Sequence, residues 1–532
     1  MNKHLQVVAA GAETINKYRE KNRRHRIKCI RMPLLATIGL LFIIGVGCQL
    51  PDEQPSDNET PGDVDLLSAI AGDAAVALSW RDPYSGTDHV EISCSPGGNP
   101  PETCMAGVET HTIAGLTNGI EYTLTVKTVD NSGNASIGVT VSATPAFQRM
   151  FGGNNDDAAY SISKTSDGGY VVAGYSESTD LPFLINHGES DCYIVKLDSN
   201  GDLEWQKLHG SVNDDVARSI QQTDDGGYIV AGYWEVIAGD EDDYYVLKLN
   251  ASGNRSWERA CGGGSYDKAY ACQQTTDGGY IVGGISYSSD IPGLTNSGKS
   301  DCYIVKLFSD GVTSWEVMFG GNGIDSAFSL ELTDDGGYVI AGITESTDIP
   351  GFTHKGFGDF YVAKLDSSGN LSWQKMFGGN GMDYIFSIQQ TADGGYVAAG
   401  RTGSTDIPGL PNSGSNGYVI KLDSNGDISW QKIIDTGAIL SIKQTSGGGY
   451  VVAGRTSGSV LGMPSAQYHI MELEANGNTS WEKTYGGSDD DYPDSILTIA
   501  GGGYIVAGYS SSTDIPGATN NGGTDCYIIK LD

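Results

Sequence analysis

One motif constrains this chain more than anything else in it. Gly-Gly-Tyr recurs with its tyrosine at 170, 228, 280, 338, 396, 450 and 504, a spacing of 52 to 58 residues. Seven copies at that period point to a propeller or solenoid. Each copy reads Ala-x-Ser-Ile-Gln-Gln-Thr, Asp-Gly-Gly, Tyr-Ile-Val-Ala-Gly, a long polar loop, Tyr-Ile-Val-Lys-Leu-Asp, Ser-x-Gly and Trp-Gln-Lys-x-Phe-Gly-Gly. That is four short strands (A to D) with tight turns at A–B and C–D, the content of one propeller blade. The 75 Gly and 28 Tyr among 532 residues fit many turns between aromatic strands and argue against helices.

Both ends of the array carry a clue. Six repeats end in a Trp strand, at Trp205, Trp257, Trp315, Trp373, Trp430 and Trp481, but the seventh stops at Leu531-Asp532. The absent strand stands at the other end, where Phe147-Gln-Arg-Met-Phe-Gly-Gly153 matches Trp373-Gln-Lys-Met-Phe-Gly-Gly379. The expectation is an all-β chain whose residues 147–532 form a seven-bladed β-propeller closed by an N-terminal strand, which leaves no sheet edge open. The array resembles the bacterial β-propeller repeat family of exported proteins, with its Gly-Gly-x-x-x-Asp and Ser-x-Asp-x-Pro signatures. It is more distantly similar to the tryptophan-docking propellers of quinoprotein dehydrogenases, although Asp198 reaches Gly201 in three residues where that family takes four. The first resemblance implies a scaffold with no set activity.

Residues 65–145 read as a small β-sandwich. Ala75–Trp80, His89–Ser93, Tyr122–Val129 and Ile137–Ser142 alternate with a period of two, which places Val76, Leu78 and Trp80 on one face. With that Trp and the corner Leu116-Thr-Asn-Gly-Ile-Glu-Tyr122, the segment resembles a fibronectin type III domain, Asn118 replacing the usual Pro. Cys94 and Cys104 enclose a Pro- and Gly-rich loop, and a disulfide between them is expected in an oxidising compartment.

Ahead of the sandwich, residues 1–47 form a basic lead and export signal. Arg23, Arg24, Arg26, Lys28 and Arg31 precede the uncharged run Met32–Pro51. Cys48 follows Gly47, and the stretch resembles bacterial lipoprotein signal peptides, which implies lipidation of Cys48. An uncleaved signal anchor is the alternative, about 20 uncharged residues being just enough to span a bilayer. Residues 48–64 are an acidic, Pro-rich tether. Either anchor places the rest of the chain outside the cytoplasm, held to a bacterial membrane or cell surface. Without the 47-residue lead, 23 basic residues face 64 acidic ones, a net charge of −41, so nucleic acid is excluded as a partner.

The candidate site residues lie on the long-loop face, opposite the tight turns, where loops of repeat proteins gather their ligands. They are Asp157, Asp215, Asp267, Asp325, Asp383 and Asp491 from the D–A crossovers, joined by Trp234 in a loop that breaks the repeat pattern. Asp180, Asp290, Asp348, Asp406 and Asp514 belong to the Ser-x-Asp-Ile/Leu-Pro loops of the same face. A carboxylate repeated once per blade more often fixes its own turn than binds a ligand. Gly-Asn-Gly-x-Asp segments at 321–325 and 379–383 offer hard oxygen ligands, the one opening for calcium; no other cofactor and no metal site is expected. The six Trp residues are expected to pack between blades. Cys192, Cys302 and Cys526 read as buried free thiols, with a Cys261–Cys272 bridge left open. No catalytic residue stands out: the eight His lack metal spacing, and Gly-x-Ser-x-Gly and phosphate loops are absent. The expected function is a non-enzymatic, membrane-anchored binding or adhesion scaffold that meets a protein, glycan or matrix partner. A hydrolase using loop carboxylates or a quinone-dependent dehydrogenase is the alternative.

Overall fold

Strands with an apolar face every second residue must stack in pairs to hide it, and this chain does so twice over. The computed structural model describes residues 60–532 apart from 84–85, 98–100, 236–241, 411–414, 457–464, 500–501 and Asp532. The described residues belong to the unit Asp57–Asp532. The basic lead, Cys48 and most of the tether lie outside them.

The first part is a sandwich of two antiparallel sheets. One has the order β1 (Asp65–Gly72), β2 (Ala75–Arg81), β5 (Thr110–Ala114); the other runs β4 (Glu102–Met105), β3 (His89–Ser95), β6 (Tyr122–Val129), β7 (Val139–Ala143). Val76, Leu78 and Trp80 point inward from β2 and meet Val90, Ile92, Leu124 and Val126. The Tyr122 hydroxyl accepts the Thr117 N–H at 3.1 Å and pins the corner before β6. Three of these strands, β1, β4 and β5, have no counterpart in the periodicity reading.

The expected disulfide is not formed: Cys94 and Cys104 are both free thiols. The stretch between them is no idle loop, because it folds back into β4 with Val90 opposite Cys104 and Ile92 opposite Glu102. That register leaves Cys94 four residues further along β3 than the partner of Cys104, about 13 Å at the rise of an extended strand, twice what a disulfide spans.

Residues 147–531 form seven four-stranded antiparallel sheets. Sheet 1 holds β9 (Asp157–Lys164), β10 (Tyr170–Ser176), β11 (Asp191–Leu197) and β12 (Leu203–His209), strands A to D. Sheets 2 to 6 begin at Asp215, Asp267, Asp325, Asp383 and Ala438. Sheet 7 takes β33 (Asp491–Thr498), β34 (Tyr504–Ser510) and β35 (Asp525–Leu531), and its fourth strand is β8 (Phe147–Phe151), paired antiparallel to β35. Gln148, fully buried in β8, accepts from the Tyr527 hydroxyl and donates its amide to Ala71 O at 2.8 Å.

The cores lie between sheets. Ile194 of sheet 1 packs with Ile220 and Val230 of sheet 2, and the pattern repeats at each step until Ile528 and Ile505 of sheet 7 pack with Ile162 and Val172 of sheet 1. Each D-strand Trp reaches the Gly-Gly-Tyr tyrosine of the next sheet, with ring centroids 5.7 to 5.9 Å apart in all six cases. These Trp rings are half-buried between sheets, as expected.

Turn chemistry fixes the ends of the strands. At the A–B turn of sheet 1, Asp167 accepts from the Thr165 hydroxyl and the Gly169 N–H, and the buried Lys196 ammonium of strand C reaches it at 2.9 Å. Lys248, Lys306, Lys364 and Lys421 repeat that ion pair in sheets 2 to 5.

The sandwich docks on sheet 7 without an intervening linker. Ala146 donates its N–H to Gly72 O, Asp73 donates to Pro516 O, and Arg149 Nη1 binds Asp73 Oδ2 at 2.6 Å.

Candidate functional site

The crossover aspartates are not a presented face. Asp157, Asp215, Asp267, Asp325, Asp383 and Asp491 each open strand A and are fully buried, so their expected role as binding-face residues is corrected. Each carboxylate turns into its own crossover: Asp157 Oδ2 accepts the Gly153 N–H at 2.8 Å and the Ser178 hydroxyl at 2.7 Å. Asp267, Asp325, Asp383 and Asp491 repeat the pair with Gly263 and Ser288, Gly321 and Ser346, Gly379 and Ser404, and Gly487 and Ser512. Turn carboxylates prefer such local N–H groups over solvent. Asp180, Asp290, Asp348, Asp406 and Asp514 are exposed yet also bond into the crossover, to the N–H of Asn154, Gly264, Asn322, Asn380 and Ser488.

At five of the seven sheet boundaries a second buried carboxylate from the start of strand C meets the first. Asp525 faces Asp157, Asp191 faces Asp215, and Asp301 faces Asp325; a Cβ on Gly152, Gly210 or Gly320 would collide with both members of its pair. The first Gly of each Phe-Gly-Gly is therefore demanded by close approach of two acids. Burial raises these groups above the usual carboxylate range. It pushes Asp525 and Asp301 up to about 6, with the facing acid adding to it. Asp215 reaches about 7 by burial against the Ser211 hydrogen bonds, with Asp191 and Asp214 contributing. At the sixth boundary Gln467 stands in for the strand-C acid, opposite Asp491. Among the described residues no group of three or more His, Cys, Asp or Glu is placed to hold a metal ion.

Trp234 lies on a strand, not in a loop. It extends strand B of sheet 2, pairs with Asp215 and stacks on Tyr245 of the same sheet, with centroids 4.5 Å apart and planes 12° from parallel. It is half-buried, which corrects its expected place in a loop; the acidic loop after it, 236–241, lies outside the described residues, as does 457–464. Cys192, Cys261, Cys272, Cys302 and Cys526 are all buried free thiols, and the 261–272 bridge is not made.

Two features escaped the sequence reading. The first is Phe183. In sheets 3, 4, 5 and 7 the B–C loop reads Ile-Pro-Gly, with Gly293, Gly351, Gly409 and Gly517 at φ between +80° and +86°. Sheet 1 reads Leu-Pro-Phe, and Phe183 holds the same left-handed conformation at φ +62° with its side chain wholly exposed. A bulky residue there is strained by roughly 1–3 kcal/mol. Ile185, Val212, Tyr266, Tyr287 and Phe357 are also exposed on loops and crossovers of the long-loop side, spread over several sheets. Comparing the tripeptide across repeats would have found it.

The second is the cavity between the seven inner strands, about 530 Å³ in volume. Strand A carries a bulge in every sheet. The cause is the Gly that ends Val-Ala-Gly on strand B: a Cβ on Gly174 would strike Ala158 O. The bulge aims one residue per sheet into the cavity, in order Tyr160, Arg218, Tyr270, Phe328, Phe386, Leu440 and Asp494. These are the x of each Ala-x-Ser or its equivalent. The Ser after it spends its oxygen on the next sheet, as Ser161 does on the Ile220 N–H.

No family model matches the chain. Regulatory protein FlaEY of Caulobacter vibrioides is 26% identical over 223 residues, 38% of this chain and 23% of that protein, so the chain spans about a quarter of the length of this curated relative. Among solved structures, the Neurospora crassa Pan2 WD40 domain aligns with TM-score 0.41 and 12% identity, covering 71% of this chain and 89% of that one. A protein of unknown function from Bacteroides caccae aligns with TM-score 0.32 and 11% identity, covering 66% and 95%.

Proposed function

We propose that this chain is a non-enzymatic binding scaffold: a fibronectin type III-like sandwich fixed to a seven-bladed β-propeller that strand Phe147–Phe151 closes, anchored outside the cytoplasm and offering its long-loop face to a protein, glycan or matrix partner. The partition of the sandwich strands into three and four, its buried Trp80 and its Tyr122 corner support the first assignment. The pairing of β8 with β35 and the core joining sheet 7 to sheet 1 support the second. The anchor rests on the basic flank, the apolar run and Cys48.

Phe183 carries the functional reading. Four equivalent loops use Gly at this φ, so the fold does not require Phe; a strained, fully exposed aromatic is kept there for what it touches. Exposed apolar groups on a strongly acidic body suit a partner with an apolar centre and a basic rim. Against the hydrolase alternative, the crossover carboxylates such an enzyme would use are buried, each with one oxygen held by a backbone N–H of its own crossover.

The test compares the full chain with Phe183→Gly for adhesion to cell-surface preparations and glycan arrays. The variant should be slightly more stable and lose at least about tenfold in binding, an anchor of about 1.4 kcal/mol or more. Undiminished binding by the variant would refute the assignment of this face.

A further inference from the structure

The cavity between the inner strands holds a charge arrangement that the fold does not need. Five of its seven bulge residues are aromatic or aliphatic, so a sheet is complete with an apolar group there. Sheets 2 and 7, the two neighbours of sheet 1, carry Arg218 and Asp494 instead. Arg218 lies over the Tyr160 ring at 3.9 Å and donates from Nη2 to the Tyr233 hydroxyl at 3.2 Å, but its Nε, hidden from solvent, has no acceptor. Asp494 Oδ2 is hidden likewise and has no donor. Neither Arg218 nor Arg455 forms a direct ion pair with Asp494; the Arg455 guanidinium sits over Tyr492 at 5.0 Å instead. Burial pushes Asp494 up to about 7 against the pull of these two cations. The paired acids between sheets also leave an oxygen unpartnered, but they recur from sheet to sheet, whereas Arg218 and Asp494 bear the cost of an unpartnered buried atom at a bulge where every other sheet carries no charge.

On the far side the lining is an aromatic wall, Tyr270 and Phe328 with centroids 5.2 Å apart and Phe328 and Phe386 6.0 Å apart. A simple anion would satisfy Arg218 and repel Asp494, a simple cation the reverse, and an apolar molecule would leave both unpaired. We propose that the cavity binds a free α-amino acid with an aromatic or branched apolar side chain. Its carboxylate accepts from Arg218, its ammonium donates to Asp494, and its side chain lies against Tyr270, Phe328 and Phe386. The volume falls within the usual range for small-molecule sites. This site is independent of the exposed long-loop face and does not require the scaffold reading to hold.

Calorimetric titration of the full chain with L-phenylalanine and L-leucine tests the proposal. Saturable binding with Kd below about 1 mM is expected. N-acetyl-L-phenylalanine, lacking the ammonium, and L-phenylalanine methyl ester, lacking the carboxylate, should each bind at least about tenfold more weakly, because each leaves one buried charge unpaired. Asp494→Asn and Arg218→Gln should weaken L-phenylalanine by a similar factor. The blocked ligands give the same answer on the unaltered chain if either variant misfolds. Absence of saturable binding by both amino acids, or equal affinity for the blocked analogues, would overturn the proposal.

Discussion

Asp301→Asn is the sharpest probe of the paired acids between sheets. Asp301 is fully buried, faces Asp325, and is pushed by burial from the ordinary 3.8 up to about 6. A raised carboxyl pKa means that the folded chain holds a proton the unfolded chain has released. The associated stability is complete below about pH 4 and is lost as pH climbs through about 6. Two units correspond to roughly 3 kcal/mol withdrawn by pH 8. Asparagine cannot ionise, and its Oδ1 can still accept the Ser297 N–H that now donates to Asp301 at 2.8 Å. Sheet 5 already uses Asn416 at the equivalent register, opposite Thr402 as Asp301 is opposite Ser286. The variant should match the parent at pH 4 and exceed it by about 1–3 kcal/mol at pH 8, read as urea midpoints and as a few degrees in thermal midpoint. A difference of the same size at both pH values, or a variant weaker at pH 8, would refute the burial argument.

Further outcomes follow from other contacts. Phe183→Gly should raise stability by about 1 kcal/mol, because the residue already sits where glycine is unstrained; an unchanged or lower urea midpoint contradicts the strain assignment. Gln148→Ala should cost about 2–4 kcal/mol by leaving the Tyr527 hydroxyl and Ala71 carbonyl unpaired, and should raise proteolysis at residues 147–151. Asp277→Asn should destabilise more than Lys306→Met, since only the first strands a buried ammonium, and a urea titration ranks the two. Asp277 is exposed, and its slight burial is outweighed by the Thr275 hydroxyl, the Gly279 N–H and Lys306, which hold it down to about 2, so its contribution disappears as pH falls from about 4 toward 2. A pH series of urea titrations of Asp277→Asn against the parent reads this loss, the difference between the two shrinking below about pH 4. Thiol counting in denaturant without reductant should find Cys94 and Cys104 both reactive.

What could be read in the sequence was whatever the repeat states seven times. Strand order, the two tight turns, the inter-sheet Trp and the joining of Phe147–Phe151 to the last sheet all follow from spacing, because identical neighbours impose the same packing at each step. The sandwich was half-legible: β2, β3 and β6 alternate cleanly, whereas β4 is a four-residue strand that includes Cys104, the second of two cysteines whose spacing suggested a bridged loop, and only the β3–β4 register shows the bridge to be out of reach. The crossover aspartates show the limit of repetition as a guide to function. Present at six boundaries, they were natural candidates for a surface, yet a carboxylate that every repeat keeps is one that every repeat needs to fold. The informative positions are those where neighbours share a backbone and differ in chemistry. Phe183 keeps the left-handed turn of four glycines, and Arg218 and Asp494 keep a bulge that elsewhere carries rings and Leu440. At such positions the backbone cost or the buried charge is met without a return in folding, and both binding proposals start from that imbalance.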